Sequence, residues 1–429
     1  MLGKLTERHG TYVYQLDDIV ITMTNLHQGR DDLTAEVEVY SGIAGLIADA
    51  RLNLVSLPTI SSWAKQATLK HPDEDWQGIL TDVCRAVKLK LREGTPSADL
   101  NEPIAEDEAG EWLVPGFALR GLPTVLFGAG DSCKSFLGLS LLAQLQTGAR
   151  DPLGLDIRKP GRCLILDWEM SRAVHRERLY ALTARTDQGI RYRSMSGTLT
   201  SQAPAIAREI DKHAIDYLMI DSAAYACGKP EDAAEVNALF DSLRWLGRTS
   251  IIVAHESKDQ SRGTSHEYPF GSIFWHNACR QSWFVKKVKE ARTVGTVTTT
   301  RIGLYNRKSN TGPRWLPRAY EIRMVNSADW KLTHCEIEGI DLQQDSELRR
   351  DTSVASQMLA LLGREGPLTS NEIAERLDAL QNTVSKALVR EQAAGRVAVV
   401  GTPGKGATYG LPQQPRRLPY KDDTEEYAL

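Results

Sequence analysis

No apolar run in the 429-residue sequence approaches the roughly 18 residues that a membrane-spanning helix needs. The opening, MLGKLTERHG, has no apolar stretch of the kind that leads a secreted chain. A soluble, cytoplasmic protein with no membrane partner is the expectation. Cysteine is scarce and scattered: Cys84, Cys133, Cys163, Cys227, Cys279 and Cys335 form no CxxC pair and no metal-ligand spacing, which argues against a disulfide scaffold and for reduced thiols. Neither sign of charge is in excess. With 52 Lys and Arg against 55 Asp and Glu the net charge is −3, so any nucleic-acid surface must be a local patch. What remains is ordinary for a globular protein, 41% hydrophobic and 25% charged, and too long for one core, so two or three domains are expected. No internal repeat is present.

The texture of the chain changes twice. Residues 1–93 read as a small α+β domain: YVYQL, IVITM and the alternating AEVEVY are strand-like up to about residue 40, and residues 57–93 carry apolar positions at helical spacing. Residues 94–111 are polar and acidic, the composition of a linker. Residues 112–339 alternate short apolar runs with helical segments: TVLF, KSFLGLSLLAQLQ, RCLILDWE, SRAVHRERLYALTART, APAIAREIDKH, YLMIDS, EVNALFDSLRWLG and SIIVAH. That order predicts an α/β fold with a parallel sheet covered on both faces. QSWFVKKV, TVTTTRIGLY and YEIRMV are further strands that either extend the sheet or form an antiparallel edge. Residues 340–352 read as a second linker. Residues 353–411 offer three helices, one starting with a Thr369–Glu372 capping box, followed by RVAVV and ATYGL around the loop GTPGKG, the pattern of a winged helix-turn-helix. Residues 412–429 form a polar tail expected to be disordered.

One glycine is missing where chemistry asks for it. GAGDSCKS, comprising Gly128, Ala129, Gly130, Asp131, Ser132, Cys133, Lys134 and Ser135, follows the phosphate-binding loop pattern except that Cys133 stands where the second glycine belongs. A strand precedes it and a helix follows, so backbone N–H groups and the helix N-terminus would face the phosphates of ATP. Lys134 would reach the β- and γ-phosphates, and Ser135 would hold Mg²⁺. A side chain at Cys133 costs about 1–2 kcal/mol if its backbone is left-handed and little if it is right-handed. A thiol beside Lys134 is also a candidate for a lowered pKa and redox sensitivity.

The later strands end in acids. LMID ends in Asp221, placed to hold the Mg²⁺ shell through water or through Ser135. LILDWE ends in Asp167 and Glu169, which share a strand face. This strand tip is expected beside the P-loop, and Glu169 is the preferred base for the attacking water, because it lies further towards the carboxyl edge, where ligands of open sheets collect. The alternative is a carboxylate that caps the next helix. SIIVAH ends in His255, a candidate reporter of the γ-phosphate state or a structural histidine.

GAGDSCKS, LILDWE with the Arg-rich HRERL helix, YLMIDS, IIVAHESK, FGSIFWHNACRQSWFV and LYNRKSNTGP occur in an order that resembles the RecA-like core of the RepA type. These are hexameric replicative-helicase-like ATPases of plasmids and phages, related more distantly to DnaB, and the resemblance covers roughly residues 112–325. It implies a RecA-like P-loop NTPase core using ATP and Mg²⁺, with Lys134, Ser135, Glu169, Asp221 and His255 in the roles given above. It also implies an arginine finger at Arg280, whose alternative is a surface salt bridge, and a second cation at Lys308, with Arg307 an equal candidate, both offered to a neighbouring subunit of a ring or filament. Within 257–271, Lys258, Arg262 and Tyr268 would contact single-stranded DNA, the alternative being a disordered surface loop. In the winged helix, Gln381, Asn382, Ser385, Lys386 and Arg390 offer a polar face and Lys405 a loop contact, for DNA or for a docked protein. The function expected is an ATP-driven oligomeric DNA motor in phage, plasmid or mobile-element replication. The alternatives are a filament-forming recombination ATPase and an ATP-switched DNA-binding regulator.

Overall fold

The computed structural model describes residues 3–8, 10–29, 31–94, 97, 99, 101–102, 112–149, 153–185, 189–256, 269, 273–288, 291–311, 314–342, 345–350, 352–400 and 406–412. Most of the acidic segment 94–111 and most of the tail lie outside these residues, as do Lys258, Arg262, Tyr268 and Lys405.

The N-terminal unit is an antiparallel meander, β1 (Lys4–Arg8), β2 (Thr11–Leu16), β3 (Ile19–Gln28), β4 (Leu33–Ser41) and β5 (Gly45–Asn53), paired in chain order. Two helices, α1 (Leu57–Lys70) and α2 (Trp76–Glu93), complete it. β4 shows why the meander forms: Leu33, Ala35, Val37 and Val39 all point inward while the residues between them face out. The sequence pattern stops at about residue 40, yet β5 follows. Only Ile47 and Leu52 of its nine residues are buried, so it carries almost no alternating signal. α2 starts at Asp75, whose side chain accepts from the Gly78 N–H at 3.0 Å, and its Trp76 indole donates to the His71 carbonyl at 2.7 Å.

The large sheet is built from β8 (Pro123–Gly128), β9 (Arg162–Asp167), β10 (Arg191–Ser194), β11 (Ile215–Asp221), β12 (Thr249–His255), β13 (Gln281–Lys287), β14 (Arg292–Val294), β15 (Val297–Ser309), β16 (Arg318–Asn326) and β17 (Leu332–Ile340). Ahead of it, β6 (Trp112–Val114) and β7 (Ala118–Leu119) form a small ribbon. The order is β10-β9-β11-β12-β8-β13-β15-β16-β17, with β14 paired to β15. From β10 to β13 every pairing is parallel, and from β13 onward every pairing is antiparallel. The late strands therefore extend the sheet and form its antiparallel edge at once. β10 and β17 were not visible in the sequence pattern: β10 has no buried residue, and β17 buries only Cys335 and Ile337.

β8 is buried at all six positions, and β11 and β12 are nearly so, as strands covered on both faces must be. One face packs on α3 (Lys134–Thr147) and α4 (Arg172–Thr183) through Leu137, Leu141, Leu145 and Ala181. The other packs on α5 (Leu199–His213), α6 (Ala223–Cys227) and α7 (Ala233–Leu246) through Ile206, Ile210, Leu239 and Leu243. This mixed α/β layering around a large, mostly parallel sheet fits a P-loop NTPase core. A short α8 (Phe274–Ala278) buries Trp275 against Phe240 of α7.

The stretch 340–352 is more than a connection. It carries α9 (Ser346–Arg350), whose Leu348 is fully buried in the core and whose Leu348 carbonyl accepts from the Tyr305 hydroxyl at 2.6 Å. Beyond it lie α10 (Val354–Glu365), β18 (Leu368–Thr369), α11 (Ser370–Leu377), α12 (Gln381–Ala393), β19 (Ala398–Val399) and β20 (Thr408–Gly410). The three strands form one sheet in the order β18-β20-β19 over a core of Met358, Leu362, Ile373, Val384 and Leu388. α11 opens with a reciprocal capping box: Glu372 N–H donates to Thr369 Oγ1 at 3.3 Å and Thr369 N–H to Glu372 Oε2 at 2.7 Å.

Candidate active site

Parallel pairing brings the carboxyl ends of β8, β9, β11 and β12 to one edge. His255 is in register with Gly128, and Asp221 with Asp167. This edge is where loops after the strands can gather around a ligand. β9 is not the neighbour of the P-loop strand that a base at its tip suggests, since β12 and β11 lie between them. The turn after β9 nevertheless carries Glu169 back across: its Oε1 accepts from the Ser222 hydroxyl and lies 4.0 Å from His255 Nε2.

The loop between β8 and α3 is compact. Lys134 Nζ donates to the Gly128 carbonyl at 3.0 Å, to the Ala129 carbonyl, and to Ser132 Oγ at 3.2 Å. Gly128 is indispensable for packing, because a Cβ there would meet the Val285 carbonyl oxygen at 2.2 Å. A Cβ added at Gly130 would meet nothing within 4 Å among the described residues. Asp131, exposed and with φ of 60°, forms an ion pair with Lys287 of β13 at 2.6 Å.

Cys133 adopts φ of 63° and ψ of 18°, the left-handed conformation. This is the costly one of the two alternatives, and it explains why glycine is the usual occupant. The thiol is not activated. Burial pushes its pKa up to about 11, outweighing the charges of Lys287 and Lys134. This shift runs opposite to the lowered pKa that a redox-sensitive thiol needs, because a thiolate is the reactive form.

Electrostatics tie the site together. Burial lowers the Lys134 pKa, while Asp221, Glu256 and Glu169 pull it back upward. Burial raises the Asp221 pKa, and a hydrogen bond with Ser135 opposes that. Ser135 and Asp221 thus supply a hydroxyl and a carboxylate side by side, hard oxygen donors of the kind Mg²⁺ takes. Bound there with ATP, Mg²⁺ would neutralise charge on the phosphate oxygens.

Asp167 has a different task. It is almost fully buried; its oxygens accept from the Glu169 N–H at 3.3 Å, the Met170 N–H at 3.0 Å and the Tyr192 hydroxyl at 3.1 Å, and His175 Nε2 lies 3.3 Å away. Burial alone would raise its carboxyl, but these partners hold it below the ordinary value. Asp167 does not cap α4, whose first turn is capped by Ser171. It holds the turn that presents Glu169. The Trp168 N–H completes that turn by donating to the Asp221 carbonyl at 2.8 Å.

Beside this cluster lies a cavity of about 850 Å³, lined by Gly130, Trp168, Glu169, Tyr225, His255 and Glu256 among others. Ser222 and Glu256 were missed from sequence, although each directly follows a residue that was picked. His175 and Tyr192 gave no separable signal.

Arg280 and Lys308 are not part of the assembly. Gln281 pairs with Thr124, near the start of β8, which puts Arg280 at the opposite edge, roughly 16 Å of strand away from Gly128. Arg280 is exposed. Lys308 donates to the carbonyls of His276 and of Asn277, the latter at 3.1 Å, and burial lowers its pKa. Arg307 stacks over the rings of Phe284 and Tyr305, 5.4 Å from each. On α12, Asn382, Lys386 and Arg390 are exposed on one face at four-residue spacing, Ser385 is half-buried, and Gln381 donates to Ser370 Oγ at 2.8 Å. Lys258, Arg262, Tyr268 and Lys405 lie outside the described residues.

Residues 88–261 match the family model for an AAA domain, which makes this region an AAA/P-loop ATPase-type domain. The matched span includes the P-loop, Glu169, Asp221 and His255 and stops before Arg280. No curated protein matches the chain. Among the described residues, no helix is long and apolar enough to cross a membrane.

Proposed function

We propose that the chain is an ATP-hydrolysing, oligomeric DNA motor of the helicase or translocase kind, acting in replication of phage, plasmid or other mobile DNA. The observation that carries this reading is the division of the ATP machinery between two edges of one sheet. Lys134, Ser135, Glu169, Asp221 and His255 meet at the carboxyl edge, whereas Arg280 and Lys308 sit at the amino edge, out of reach of their own P-loop. If Arg280 and Lys308 act in ATP turnover, they act on the ATP of another copy. That calls for head-to-tail contacts and hence a ring, with six copies as the favoured number, or a filament. ATP, Mg²⁺ and DNA are the ligands in this reading. Glu169 orients and deprotonates the attacking water, His255 beside it senses the γ-phosphate, and the neighbour's Arg280 stabilises charge developing on that phosphate, worth ~10³-fold or more.

Subunit mixing tests the reading. Lys134→Ala abolishes the chain's own site, and Arg280→Ala abolishes what it donates. Each variant alone is inactive, while a mixture recovers part of the turnover, because an Arg280→Ala subunit with an intact P-loop receives an arginine from a Lys134→Ala neighbour. If no mixing ratio restores turnover although both variants assemble, the trans arrangement is wrong. Strand separation on a forked duplex then distinguishes a motor from a recombinase, which exchanges strands. A regulator binds duplex with negligible turnover.

A further inference from the structure

A second cavity, of about 640 Å³, lies where the C-terminal helices meet the ATPase core. Its core wall carries Arg307, Arg314 and Trp315, and its opposite wall carries Thr352, Arg390 and Arg396. Among the described residues lining it, the one acid is Glu391, which is buried and already shared: it accepts from Arg396 Nε at 2.5 Å and from Arg390 Nε at 3.2 Å. The groove is therefore cationic in a chain whose net charge is −3.

Two further features point to an anionic occupant. α10 begins here, capped by Ser353, so the positive end of a twelve-residue helix faces the groove. Thr352, just before that cap, is only 8% exposed, and its hydroxyl has no hydrogen-bond partner among the described residues. A buried hydroxyl left unpaired costs free energy that a ligand oxygen can recover.

We propose that this groove binds the phosphodiester backbone of a single-stranded nucleic acid. This deepens, and rests on, the reading of the chain as a protein that acts on DNA. The arginines lie on both walls: Arg307 and Arg314 belong to the core, while Arg390 and Arg396 meet at Glu391 on the other side, so phosphates of one strand could be met from either wall. Trp315 is 36% exposed and presents a ring on which an unpaired base can stack. Arg390 is also the last member of the exposed Asn382–Lys386–Arg390 row, so an exposed polar row leads away from the groove along α12. A strand lying there would touch core and C-terminal helices together, so movement between them would be transmitted to it.

Fluorescence anisotropy of a labelled oligothymidine with the full chain tests this, comparing the native protein with Arg314→Glu, Thr352→Val and Lys386→Glu. Arg314→Glu is expected to weaken binding about tenfold and to reduce the salt slope by about 0.7 per lost phosphate contact. ATP turnover without DNA should be unchanged. Thr352→Val is expected to weaken binding about threefold with no loss of thermal stability. If the native protein binds and only Lys386→Glu weakens it, the strand follows α12 alone and the groove proposal is overturned. If inorganic phosphate or ADP displaces the oligomer at micromolar concentration in an Arg314-dependent way, the groove is a small-anion site and the proposal is likewise overturned. If the native protein binds no oligomer even at low salt, the DNA reading itself falls.

Discussion

The left-handed backbone at Cys133 makes a prediction whose sign is unusual. In a right-handed helical position alanine is more stable than glycine by about 0.5–1 kcal/mol, because glycine loses more backbone freedom on folding. At φ of 63° and ψ of 18° the comparison reverses. A Cβ in this conformation costs about 1–2 kcal/mol, which outweighs the glycine entropy and leaves glycine favoured by roughly 0.5–1 kcal/mol. Cys133→Gly and Cys133→Ala both remove the sulfur, so its packing against the neighbouring apolar cluster largely cancels between them. The comparison then isolates the backbone. Urea unfolding without nucleotide, followed through the buried Trp283 on β13 next to the P-loop strand, should place the glycine variant's midpoint above that of the alanine variant with equal slopes. An alanine variant as stable as the glycine variant, or more so, would refute a left-handed Cys133. It would also remove the explanation for why this loop departs from the usual pattern at a cost.

The same geometry fixes further outcomes. With its pKa raised to about 11 against an ordinary value of 9.0, Cys133 should react with iodoacetamide at pH 8 about a hundredfold more slowly than a free thiol, and peroxide should leave ATP turnover intact. Because the raised value belongs to the folded state, this thiol's contribution to stability is present below about pH 9 and is lost as pH rises through about 11; a titration of unfolding midpoints in native protein and Cys133→Ala checks the sign. Glu169→Gln should retain ATP binding while turnover falls about 10²–10⁴-fold, and unimpaired turnover would exclude Glu169 as the base. Gly128→Ala should lose both fold stability and ATP binding, since its methyl meets the Val285 carbonyl; a stable variant that binds ATP would mean β8 and β13 can part at little cost.

Much of this site was legible because its residues lie directly after buried strands. Runs such as TVLF, LILD, LMID and IIVA mark their own carboxyl ends, so Gly128, Asp221 and His255 could be placed before any pairing was known. The order of those strands across the sheet was not legible, since parallel pairing leaves no mark on periodicity; hence the mistaken neighbour for β9. The choice between Asp167 and Glu169 also needed space, because both share the strand's face. Only the four groups converging on Asp167 show that it supports the turn while Glu169 faces Ser222 and His255. Strands β5, β10 and β17 bury too few side chains to alternate and are held chiefly by their pairing. α9 is too short for a helical pattern, and one buried leucine fixes it to the core.

The most direct test of the central claim is ATP turnover measured with and without single-stranded DNA, on the native protein and on Lys134→Ala. Turnover in the native protein should be stimulated by DNA and lost in Lys134→Ala. Native protein that binds ATP yet turns none over, with DNA or without, would contradict the motor reading and would leave GAGDSCKS as a nucleotide switch.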